Sequence, residues 1–332
     1  MIIIYFVDMH NFIYLIWERA MCDQVAKKMI KMFAVKFIVA FLLFVQVLFN
    51  TADIAAYSEK PIHVHVSIEP QITFVERIGG DRVSVHALLP PGESPATYSP
   101  TPGQMVLLTK SKLFFRTGVP FEEPLIKRIR DLATQIHIVD VRDGIVLRKM
   151  ERDHDESDTQ DLHSSENGHS GYDPHIWLSP VLVQKQATTI CEALIAIDPS
   201  GRQTYEAKCR AFIKDLEILH QKLKESLSPF KGGTFFVFHP SFGYFADAYG
   251  LKQMAIQVEG KAPKGKDLSQ FIKKAKDEKV RVVFVQPQFD QNTANKIAIA
   301  INGVVVILDP LSRNYFENMK AITDQITKSM KR

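Results

Sequence analysis

From Ile62 onward the chain alternates short apolar, β-branched runs with longer stretches in which apolar residues recur at helical spacing. Runs of four to six such residues bounded by turn-formers predict buried strands, and the longer periodic stretches predict helices. The pattern forms two series. The first predicts strands at 62–66, 83–88, 112–115 and 136–139, with helices at 72–78, 102–108 and 121–132. The second predicts strands at 234–238, 253–256, 280–285 and 304–308, with helices at 243–249, 267–278, 291–301 and 314–330. Alternation of this kind builds parallel sheets covered by helices. Between the series, 199–227 carries Leu216, Leu219, Leu223 and Leu227 at helical spacing with almost nothing to break the helix. At 1.5 Å per residue that is about 40 Å of helix. The expected fold is α/β: two Rossmann-like lobes of parallel sheet and helices, 57–198 and 229–332, joined by one long rigid helix at 199–228, with a cleft between them. The competing reading is one large α/β domain in which that helix is another layer.

Two segments fall outside this pattern. Lys27, Lys28, Lys31 and Lys36 precede an apolar run from Phe37 to Phe49 broken only by Gln46, and the small residues of Thr51-Ala52-Asp53-Ile54-Ala55-Ala56 follow. That layout predicts a secretory signal peptide at 29–56, cleaved near Ala55 or Ala56, and a periplasmic location. The run is shorter than the roughly 20 residues that span a bilayer. Residues 1–28 are expected to be an upstream extension, with Met29 and Met32 as later starts. No cysteine stands near the cleavage region, which favours a free protein over a lipid-anchored one. The second segment, 151–171, interleaves Asp153, Asp155, Glu156, Asp158, Asp161 and Glu166 with His154, His163 and His169. It is too polar to bury a core. A solvated linker is the bland reading; an auxiliary loop that captures divalent cations is the favoured one.

Composition adds little beyond exclusions. The formal net charge of +4 over 332 residues includes the basic signal region, so nothing points to nucleic acid. Export matters more for Cys191 and Cys209, which flank the Asp198-Pro199 turn between two helical stretches. In an oxidising compartment they form either a disulfide or a pair of buried thiols, and sequence does not choose.

Three segments, each read as a strand end, present metal-competent side chains: Asp173-Pro174-His175, Phe238-His239-Pro240 and Leu308-Asp309-Pro310. Ligands in α/β sheets collect outside the carboxyl ends of strands. Taken singly, His175 is more often a structural hydrogen-bonder and Asp309 a helix cap. Together, two imidazoles and a carboxylate supply the nitrogen and oxygen donors of a tetrahedral zinc site. Their wide separation suits a site closed by two lobes, and the distance of every cysteine excludes a thiolate site.

The motifs extend the picture to a family. Gly79-Gly80-Asp81-Arg82-Val83, Pro90-Pro91-Gly92-Glu93-Ser94-Pro95, Tyr98-Ser99-Pro100-Thr101-Pro102, Asp173-Pro174-His175-Ile176-Trp177, Phe238-His239-Pro240, Val258-Glu259-Gly260-Lys261-Ala262-Pro263, Gln286-Pro287-Gln288-Phe289 and Asp309-Pro310-Leu311 resemble the periplasmic metal-binding components of zinc and manganese ABC uptake systems. The resemblance covers residues 60 to 330. It implies metal held between two lobes, handover to an ABC transporter membrane permease, a monomer, and no catalysis. It places ligands at His175, His239 and Asp309, and a histidine at 239 is similar to the zinc members. The family's histidine after the first proline-glycine turn is replaced here by Ala96. Water or Glu259 is expected to complete the shell, with a turn-supporting role for Glu259 as the alternative. Zn²⁺ is the expected cargo and Mn²⁺ or Fe²⁺ the alternatives. A periplasmic zinc buffer or chaperone, and more remotely a zinc hydrolase, are the competing functions; no His-Glu-x-x-His helix is present.

Overall fold

The computed structural model describes residues 60–132, 135–150, 171–256, 265–289 and 291–331, with separate helical stretches between 14 and 41. The end of the apolar signal run, its cleavage region, the acidic loop with His154, His163 and His169, and Glu259 lie outside the described residues. The segment up to Lys60 is a unit of its own. Along its helical stretches Phe33, Val35, Phe37, Ile38, Val39 and Phe41 are all exposed. Among the described residues no helix is long and apolar enough to cross a membrane.

The second unit runs from Pro61 to Arg332. Its first sheet contains β1 (Ile62–Val66), β2 (Val83–Ala87), β3 (Leu113–Arg116) and β4 (His137–Asp140), in the order β2-β1-β3-β4 and parallel throughout. The crossovers are α1 (Glu69–Gly79), α2 (Pro102–Leu108) and α3 (Glu122–Asp131). The second sheet repeats the plan: β5 (Thr234–Val237), β6 (Lys252–Ala255), β7 (Val282–Val285) and β8 (Val304–Ile307) stand in the order β6-β5-β7-β8, again parallel. Its crossovers, α6 (Gly243–Tyr249), α7 (Gly265–Asp277) and α8 (Gln291–Ala300), precede a last helix, α9 (Tyr315–Met330). In each sheet the first strand has the second on one side and the third on the other, so the strand order reverses between β1 and β3, and between β5 and β7. Ligands of open α/β sheets sit outside the carboxyl ends of strands at such switch points.

The two sheets are connected through α4 (Pro180–Ile197) and α5 (Arg202–Leu227). The predicted helix start at 199 is a 3₁₀ turn, Pro199–Gly201. Tyr205, Cys209, Phe212, Leu216, Leu219, Leu223 and Leu227 form the buried stripe of α5, spaced three and four apart as one helix face requires. One apolar core includes Val64 and Phe114 of the first sheet, Phe212 and Leu219 of α5, Phe235 and Phe284 of the second sheet, and Met319 of α9. The long helix therefore joins the two lobes through a core that both of them share. A smaller core, with Phe236, Phe271, Val283 and Ile297, fills the other face of the second sheet.

Several sequence motifs have structural roles here. A Cβ on Gly79 would lie 2.4 Å from Val83 Cγ2, and Gly80 adopts φ 56°, so the α1 exit needs both glycines. Arg82 donates from Nε to Asp198 Oδ2 at 2.7 Å and from Nη2 to Asp198 Oδ1 at 2.9 Å. This bidentate pair holds the Asp198 carboxyl well below its usual range and pins the turn between α4 and α5. Cys191 and Cys209 are free buried thiols on those two helices. Burial, followed by the neighbouring Cys191, pushes the Cys209 thiol up to about 12. On the first sheet, burial and then the imidazoles of His86 and His63 hold His65 down to about 4.

Candidate metal centre

A cavity of about 720 Å³ opens at the switch points of both sheets. Ser94, Pro95 and Ala96 after β2, and Gly118, Val119 and Pro120 after β3, line it from the first sheet; His239, Pro240 and Ser241 after β5, and Gln286, Gln288 and Phe289 after β7, line it from the second. The turn after β3 is shaped from within. The fully buried Glu122 carboxylate accepts from the amides of Thr117 at 2.8 Å and Gly118 at 2.7 Å.

His175 enters this cavity from a loop. The expected strand end is absent: a single antiparallel bridge, Lys149 with Tyr172, precedes the segment, and a buried 3₁₀ turn, Ile176–Leu178, follows it. A hydrogen-bond frame replaces the strand. Asp173, only 1% exposed, accepts on Oδ1 from the His175 amide at 2.9 Å and lies 2.7 Å from His175 Nδ1. Its carbonyl accepts from the Tyr244 hydroxyl at 3.0 Å, and its amide donates to Arg148 O at 2.9 Å. Trp177 donates from Nε1 to Pro310 O at 2.7 Å, tying the segment to the turn after β8. A carboxylate facing Nδ1 accepts that ring N–H and leaves the lone pair on Nε2, the arrangement by which metal-binding histidines are oriented.

His239 follows β5 as the strand pattern predicted. Its carbonyl accepts from Gln286 Nε2 at 2.9 Å, and its amide donates to Gln286 Oε1 at 3.3 Å. Its ring stacks on Phe289, with centroids 4.9 Å apart. The His175 and His239 rings meet edge to face at a centroid separation of 5.4 Å. Two imidazoles on one tetrahedral zinc, with Zn–N of about 2.0 Å, have centroids roughly 5 Å apart. The observed separation is close to that spacing.

Asp309 follows β8 and is half-buried. Its Oδ1 accepts from the Leu311 amide at 2.9 Å and from Gln288 Nε2 at 3.2 Å. Pro310 and Leu311 line the cavity, whereas Asp309 is not among the lining residues. Among the described residues no three His, Cys, Asp or Glu side chains converge closely enough to hold an ion together. Ala96 lines the cavity. Sequence reasoning missed Asp173 as the residue orienting His175, and Glu123, Arg142, Met150 and Tyr172 as lining residues. Asp173 had a signal, a carboxylate two residues before an aimed histidine; Glu123 on α3, Arg142 and Met150 reach the cavity only through the tertiary fold.

The family model for ZnuA, zinc-uptake complex component A, periplasmic, matches residues 64–329. The zinc-binding lipoprotein AdcA of Streptococcus pneumoniae is 26% identical over 274 residues, covering 80% of this chain and 53% of AdcA, so the chain spans about half the length of that relative. The high-affinity zinc uptake system protein ZnuA of Yersinia pestis is 27% identical over 263 residues, covering 75% of this chain and 82% of that protein. A crystal structure of ZnuA superposes with a TM-score of 0.73 at 37% identity, covering 81% of this chain and 99% of that one. With the two-sheet fold, the switch-point cleft and these matches in agreement, the chain belongs to the ZnuA family of zinc-uptake substrate-binding components.

Proposed function

We propose that this chain is exported through a cleaved signal peptide, captures one Zn²⁺ in the cleft, and delivers it to an ABC permease in the membrane. The observation that carries the reading is the pair of imidazoles from the two halves of the molecule, 5.4 Å apart, with Asp173 setting the tautomer of one of them. His175 and His239 are the nitrogen donors and Asp309 the third ligand, reached by turning the Asp309 side chain away from Gln288. Water or Glu259 fills the ligand role that the family's histidine would have at Ala96. Nitrogen donors favour zinc over manganese, which prefers oxygen. The loop with His154, His163 and His169 gathers ions weakly without forming the tight site. The exposed apolar side chains Phe37, Ile38, Val39 and Phe41 support a signal sequence. In this reading the chain acts by binding and release, not by catalysis.

Metal analysis of protein purified without a histidine tag, followed by chelator competition, is expected to give one tight zinc per chain. Ala96→His is expected to hold or raise that affinity by restoring a donor. Tight manganese with weak zinc, or a loss of zinc affinity in Ala96→His, would overturn the assignment.

A further inference from the structure

Away from the cleft, the first sheet carries three histidines on one face. His63 and His65 alternate along β1 and project to the same side, and His86 of β2 is the register partner of His65. This face is not part of the cleft lining. The rings of His65 and His86 lie with centroids 5.7 Å apart and planes tilted by 39°, close to the roughly 5 Å spacing of two imidazoles on one tetrahedral zinc. Each ring has one nitrogen engaged by a serine: His65 Nδ1 is 2.6 Å from Ser111 Oγ, and His86 Nε2 is 3.2 Å from Ser84 Oγ. In the tautomer in which each hydroxyl accepts the ring N–H, the lone pair lies on the opposite nitrogen, Nε2 of His65 and Nδ1 of His86. Metal-binding imidazoles are held in the same way by a partner on their second nitrogen.

The site is also chemically economical for its position. His65 is only 5% exposed, and burying a polar ring costs free energy unless its groups find partners. Ser111 serves one nitrogen and fixes the ring beside His86. His86 and His63 are both exposed, so water can reach the pair and fill the remaining coordination positions.

We propose that His65 and His86 form a second, weaker site for a borderline divalent cation such as Zn²⁺, with His63 able to swing in as a third donor. Two fixed donors and an open water shell make it a low-affinity site that exchanges its ion quickly. It is separate from the cleft and does not rest on the transport reading.

The test uses the full chain with its cleft already filled by one equivalent of Zn²⁺, and follows the imidazole nitrogens by NMR as further Zn²⁺ is added. His65 and His86 are expected to shift together and saturably. The exposed side chain makes His86→Gln a variant that leaves the fold intact. In it the His65 response is expected to weaken at least about tenfold in apparent affinity, while chelator competition at the cleft is unchanged. His63→Gln is expected to weaken the response without abolishing it. A His65 ring that ignores added Zn²⁺, or one that responds identically in His86→Gln, would overturn the site; neither result would touch the assignment of the cleft.

Discussion

Replacing His239 with alanine is expected to lower zinc affinity at least about a hundredfold, and replacing His175 to do the same. Changes to residues that merely support a ligand cost about ten- to a hundredfold in affinity, and loss of a nitrogen donor itself costs more. The effect should be large because the site is poor in donors. Ala96 contributes none, and Asp309 has its Oδ1 occupied by the Leu311 amide and Gln288. Folding and binding separate cleanly at His239: its main chain is held by Gln286, and its ring lies half-buried against Phe289 at the cavity wall. Chelator competition on a variant with an unchanged melting temperature reads the binding term alone. Parent-like affinity in the His239 variant would mean that the cleft is not the zinc site.

The second large effect is expected at Asp173, a residue that touches no ion. Asp173→Asn keeps the size of the side chain but replaces the charged acceptor that faces His175 Nδ1 at 2.7 Å. The ring loses its fixed tautomer and orientation, and zinc affinity is expected to fall by about ten- to a hundredfold. Because the carboxylate is buried and also lies 3.6 Å from Arg148 Nη1, some loss of stability should accompany it. The two effects come apart on measurement: a lower melting temperature with affinity within twofold of the parent would make Asp173 a folding residue only. A larger affinity loss in chelator competition, at temperatures where the variant is fully folded, is the result that the geometry predicts.

Much of the fold was legible because its signals are local. Strands such as β7 are continuous apolar runs of four residues, others alternate apolar and polar positions, and α5 shows its buried face as leucines three and four apart. His239 was legible for the same reason: it directly follows such a run. His175 was legible as a candidate donor but not in its setting: the pattern predicts a strand end there, whereas a loop followed by a buried 3₁₀ turn, Ile176–Leu178, carries it. Its position is set by Asp173, Tyr244 and Pro310, contacts from three parts of the chain that no window of sequence contains. Asp309 illustrates a different limit. Sequence placed a carboxylate after β8, but the direction of that carboxylate depends on Gln288 and the Leu311 amide, which compete with an ion for it. The pairing of His65 with His86 depends on strand register, which emerges only when β1 and β2 are aligned.

The most direct test of the central claim is an anomalous-difference map from crystals of the exported chain loaded with one equivalent of zinc, recorded on both sides of the zinc edge. A single strong peak within about 2.0–2.1 Å of His175 Nε2 and of a His239 ring nitrogen is the predicted result. A principal peak elsewhere, or none between those two rings, would contradict it.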